Sequence, residues 1–194
     1  ADAGFLPAAR LERARVLGQL GDAMKGLDKA AVAEALEQLQ GGAQASAPET
    51  RLAVKAVQKL LRQQLNYMNT AGVRVKDLGA DYFPRVWDPV YISKNQTAFK
   101  ALLAKYGVDE KAMYSIIARD GVTTGVEVDR PGMQFRKERV LAKIPDAEAA
   151  PFMNKDLYKT LSSYITQSTR RAEWAKRFGD DSQGLHALLA QASG

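Results

Sequence analysis

At 194 residues, with 46% hydrophobic and 26% charged residues, the chain has the composition of an ordinary globular domain and can bury a sizeable core. No apolar run approaches the ~20 residues a helix needs to cross a bilayer; the lack of cysteine excludes disulfides, thiol nucleophiles and thiolate metal sites, and the lone His186 excludes multi-histidine metal sites. A net charge of +6 permits contact with nucleic acid or another anionic surface, yet spread over this length it is a mild signal.

A first helix is expected over 5–25, where Leu6, Ala9, Val16, Leu17, Leu20 and Met24 fall near helical spacing and Pro7 suits the opening turn. Gly18 and Gly21 weaken it or admit another backbone, and Gly26 is its stop. Asp28 is the expected N-cap of a second helix that carries Val32, Leu36 and Leu39 on one face and ends at Gly41-Gly42. These two helices are expected to form an antiparallel hairpin over 1–42, followed by a small polar linker and a main helical domain over 46–194. Ser46-Ala-Pro-Glu49 reads as a capping box for a long helix over 48–70, with Val54, Val57, Leu61, Leu65 and Met68 on one stripe and Asn69 and Gly72 at its end.

Then comes the most distinctive run of the chain, Tyr82-Phe83-Pro84-Arg85-Val86-Trp87-Asp88, with Pro89 directly after it. The prolines fix their own φ and push Phe83 and Asp88 out of the α region, so an extended strap across a helical core is expected. Alternation puts Phe83, Arg85 and Trp87 on one side of it. The structural reading ties the strap down through an Arg85–Asp88 pair, with Phe83 and Trp87 as core plugs; the functional reading makes Arg85 an anion or partner contact. The structural reading is preferred.

Further on, Asn95 or Ser93 caps a helix with Phe99, Leu102, Leu103 and Tyr106, closed by Gly107, and Asp109 caps another with Met113, Ile116 and Ile117. The stretch 122–144 reads as a small hairpin, a loop or a short surface helix. Asn154 is the expected cap of a second long helix over 155–178, whose inner face is Leu157, Leu161, Tyr164, Ile165, Ser168, Ala172 and Ala175, and Gly179 stops it. The fold class is therefore all-α: a multi-helix bundle with an aromatic strap, with room for one small β-hairpin.

Chemistry is sparse. There is no Gly-rich phosphate loop and no Ser-His pattern of a triad, and the loop acids Asp77, Asp81, Asp88, Glu127 and Asp129 have the spacing of ordinary caps. No catalytic, cofactor-binding or metal-binding residue is expected. Two basic groups, Arg136, Lys137, Arg139 with Lys143, and Arg170, Arg171, Lys176 with Arg177, have aromatic neighbours Phe135, Trp174 and Phe178 that make a nucleic-acid surface conceivable. Glu138 and Glu173 interrupt them and the arginines line no single stripe, so a solvated helix face is the default.

The passage Asp81–Asp88, then Ile92 to Leu102 with Asn95 and Ala98-Phe99, resembles a recurrent element of very large bacteriophage internal virion and polyvalent proteins. The run from Asp156 to Ile165, then Thr169-Arg-Arg-Ala-Glu-Trp-Ala-Lys-Arg-Phe-Gly179, is similar to a helix that commonly follows it. The resemblance covers about the second half of the chain, and the first eighty residues match nothing. It implies a non-catalytic helical segment of a longer phage protein, located in the virion and then in the host envelope or cytoplasm. Its implied role is to assist genome ejection through contacts with itself or other virion and ejection proteins, with DNA binding as the alternative. The opening at Ala1 rather than Met fits excision from something longer.

Overall fold

The computed structural model describes residues 4–73, 83–111, 113–114 and 144–180. Among them it is mostly helical and holds no strand. The helices are α1 (Phe5–Ala23), α2 (Lys29–Leu39), α3 (Pro48–Thr70), α4 (Pro89–Lys94), α5 (Gln96–Lys105), α6 (Asp146–Ala149) and α7 (Leu157–Phe178), with a 3-10 turn at Ala150–Phe152 between the last two. The expected hairpin over 122–144, except its last residue Ile144, and the expected helix positions Ile116 and Ile117 lie outside the described residues, as does His186.

Helix ends follow local chemistry. Asp28 accepts the Ala31 N–H at 2.8 Å and starts α2 as expected. At the other end of α2, Gly42 N–H donates to the Glu37 carbonyl and Gly41 N–H to that of Gln38, with Gly41 at φ +84°. Gly72 and Gly107 close α3 and α5 in the same way, at φ +90° and +67°. Two expected caps move. The N-cap of α3 is Ala47 without a side-chain bond, because Ser46 donates its N–H and hydroxyl to Glu34 and so ties α2 to the start of α3. The cap of α7 is Asp156, which accepts from Lys159 N–H at 2.9 Å; Asn154 instead accepts the Asp156 N–H and shapes the turn before it.

Two apolar cores result. The first gathers Val16 and Leu20 of α1, Ala35, Leu36 and Leu39 of α2, Val54, Val57, Leu60, Leu61 and Met68 of α3, and Leu157, Leu161, Tyr164 and Ile165 of α7. This core crosses the 42–46 linker: α1 packs chiefly on α7 and α3, and α2 on α3, while α1 and α2 barely touch each other. Gln64 faces Ser168 and Thr169 while Tyr67 faces Glu173, so α3 and α7 run parallel. Arg13 faces Thr166 while Gly4 faces Arg177, so α1 runs antiparallel to both. Gly18 and Gly21 of α1 have open space where a Cβ would sit, so neither marks a close backbone approach.

The second core gathers Trp87, Ile92, Phe99, Leu102, Leu103, Val108, Met113, Ile144, Ala149, Phe152 and Met153. It is an aromatic stack: Trp87 meets Phe99 edge-on at 5.4 Å, and Phe99 meets Phe152 at 4.9 Å. Lys105 and Tyr106 close its rim by donating to the two carboxylate oxygens of Glu148, at 2.7 and 2.5 Å. An open cleft of about 760 Å³ separates the C-terminal end of α2 from the 146–155 segment, with Glu37, Gln40, Asp146 and Lys155 among its lining.

Candidate functional site

The strap is where the two cores join. Phe83 packs, half-buried, against the bundle core, whereas Trp87 is fully buried in the second core. Two residues of one face thus serve two different cores. Between them the backbone pairs with the segment leading into α7: Asp88 N–H donates to the Phe152 carbonyl at 2.8 Å and Asn154 N–H to that of Val86 at 2.7 Å. These bonds frame an isolated antiparallel bridge between Trp87 and Met153. Pro84 is buried, and Tyr82 lies outside the described residues.

The expected Arg85–Asp88 pair is not formed. Asp88 caps α4, accepting the Tyr91 N–H at 2.9 Å, because Pro89 opens that helix and leaves its first donors to the preceding acid. Arg85 reaches Asp146 instead, with Nη2 at 2.6 Å and Nε at 2.9 Å from one oxygen. The strap is tied down, but to a residue 61 positions away that no local pattern marks.

The basic end of α7 is the second candidate. Arg171 donates to Asp180 through Nε and Nη2 at 3.3 and 3.1 Å. Lys176 and Arg177 converge on Glu173, at 2.8 and 2.9 Å. Glu173 is buried, and it also accepts a short hydrogen bond from the Tyr67 hydroxyl of α3. Burial pushes the Glu173 carboxyl up, but hydrogen bonds from Lys176, Tyr67 and Arg177 outweigh it and hold the group at about 2. Burial and the neighbouring Glu173 carboxylate raise the Tyr67 hydroxyl. The Lys176 ammonium lies 4.4 Å over the Tyr67 ring, and Arg177 also caps the Gly4 carbonyl at the start of α1. One turn down, Gln64 donates to Ser168 and Thr169 at 2.8 and 3.0 Å inside the core.

Three of the basic residues singled out in the sequence therefore have carboxylate partners, while Arg170 is exposed on the outer side of α7. Arg136, Lys137 and Arg139 lie outside the described residues, together with the loop acids Asp77, Asp81, Glu127 and Asp129. Asp146 and the Tyr67–Glu173 link were not singled out in the sequence. For Glu173 a signal existed: it is the one acid within the five cations of α7, a position that pays desolvation only if paired. No helix among the described residues is long and apolar enough to cross a membrane.

No family model, no curated protein and no solved structure matches the chain.

Proposed function

We propose that this chain is a non-catalytic structural and interaction module of a bacteriophage internal virion protein, delivered with the genome or assisting its ejection. It works through contacts with copies of itself or with other virion and ejection proteins, first in the particle and then in the host envelope or cytoplasm. The observation that supports a structural role is the use made of the strap, the stretch that also carries the resemblance. Pro84, Val86 and Trp87 are buried, Asp88 caps a helix, and Arg85 is paired with Asp146. Among the described residues of the strap, those side chains join two cores and leave little to meet a substrate. Assembly is then the work of the outer surface, where Leu11, Leu52 and Val90 are 76%, 66% and 61% exposed.

Mass spectrometry of purified particles of the phage that encodes the chain tests this reading. The expected result is peptides from this chain in the particles, and cross-links from it to other virion proteins. Peptides found in infected cells but never in particles would sink it.

A further inference from the structure

The two apolar cores share no buried residue, and among the described residues no helix of the strap core packs along a helix of the bundle. Two short crossings of the chain join them. On the strap, Phe83 packs against the bundle, and Trp87, one short step on, is buried in the strap core. On the way into α7, Met153 belongs to the strap core and Leu157, after an equal step, to the bundle. The bonds from Asp88 N–H to the Phe152 carbonyl and from Asn154 N–H to that of Val86 hold these crossings side by side. Two adjacent crossings of this kind form a hinge. Small φ and ψ changes in 83–86 and 153–156 turn one body against the other without unpacking either core.

The open side of that hinge is the cleft between the end of α2 and the 146–151 wall. Its two walls match. Ala33 lines it from α2, and Ala147, Ala150 and Pro151 line it from the strap core; Ala33, Ala147 and Pro151 are exposed. The acids of the second wall are both committed within their own body, Asp146 to Arg85 and Glu148 to Lys105 and Tyr106. Glu37 and Lys155, the cleft's remaining charges, are opposite in sign, so narrowing it opposes no unpaired like charges.

We propose that the strap core is a hinged lid, which closes the cleft by bringing Ala147 and Pro151 onto the end of α2 around Ala33. Closure takes small apolar side chains out of water and requires no bond within either core to break. The area gained is small, so the open and closed positions are close in free energy and both are populated. This motion goes beyond the protein-contact reading and does not rest on it.

The chain has no cysteine, so engineered thiols carry labels at chosen places only. Nitroxides on Lys55→Cys of α3 and Gln96→Cys of α5, both exposed positions, report the distance between the two bodies by pulsed electron resonance. Lys55→Cys with Gln167→Cys of α7, also exposed, is the control inside the bundle. The expected result is a narrow distribution for the control pair, and two distances or one much broader band for the cross-core pair. Ala147→Trp puts a wedge in the cleft and should narrow the cross-core distribution to the control's width by removing the closed position. Ala33→Trp should do the same from the opposite wall should the first variant fold poorly. A single cross-core distance as narrow as the control's would overturn the proposal. So would a broad distribution that neither wedge alters, since the motion would then not be closure of this cleft.

Discussion

The bundle core and the strap core bury their apolar surface by different routes. In the bundle, α3 and α7 meet along several turns, and the loss of any one leucine is shared among neighbours on two or three helices. In the strap core the helices are short, α4 having six residues and α5 ten, and they converge on one ring system. Trp87, Phe99 and Phe152 are its centre, and two backbone bonds to 152–154 hold that centre to the start of α7. Distributed packing tolerates local damage, whereas packing around one tryptophan concentrates it.

The sharpest way to break the comparison is to remove the ring. Trp87→Ala leaves a large cavity and should cost about 3–5 kcal/mol, measured by chemical denaturation. A bundle-core truncation such as Leu61→Ala should fall near the lower end of the ~2–5 kcal/mol range for such changes. A smaller cost for Trp87 than for Leu61 would contradict the picture of a core built on one side chain.

Glu173→Gln comes next. It removes the charge that Lys176, Arg177 and Tyr67 all address, and should cost about 1–3 kcal/mol, the range for a buried hydrogen-bonded group left badly paired. The pH profile follows from its depressed carboxyl. A group held at about 2 when folded and at the ordinary 4.5 when unfolded contributes stability in full above the unfolded value and loses it as pH falls from about 4.5 towards 2. The native chain should therefore weaken over that window, and the Gln variant should weaken less. Parallel profiles for the two would refute the assignment.

Two glycines sharpen the local account. A Cβ on Gly42 would meet Glu37 Cγ at 2.7 Å and the Glu37 carbonyl oxygen at 2.9 Å, so Gly42→Ala should destabilise the α2 end by about 1–3 kcal/mol. Gly18 has open space and lies inside α1, so Gly18→Ala should stabilise by about 0.5–1 kcal/mol. Smallest of all is Arg85→Ala. Asp146 is 61% exposed, and a pair screened by solvent contributes about 1 kcal/mol or less. The strap should stay in place through its backbone bonds.

Legibility divides along the same line. The long helices could be read because apolar spacing and glycine stops are local signals: Gly26, Gly41, Gly72, Gly107 and Gly179, all expected as ends, all sit at positive φ. Asp28 was readable for the same reason. The strap's burial was readable from its aromatics and prolines, but its partner was not. Arg85 had an acid three residues away and took one 61 away, because Pro89 had already claimed Asp88 as a cap. Likewise Asn154 looked like a cap, until Asp156 two residues on proved better placed.

Hydrogen exchange read residue by residue in Trp87→Ala tests the central claim, that the strap clamps a second core to a bundle that stands by itself. The account predicts that amides around Phe99, Leu103, Asp88 and Asn154 lose protection while those of Val57, Leu61 and Ile165 keep it. Equal loss of protection in both sets would mean one cooperative core, and would contradict it.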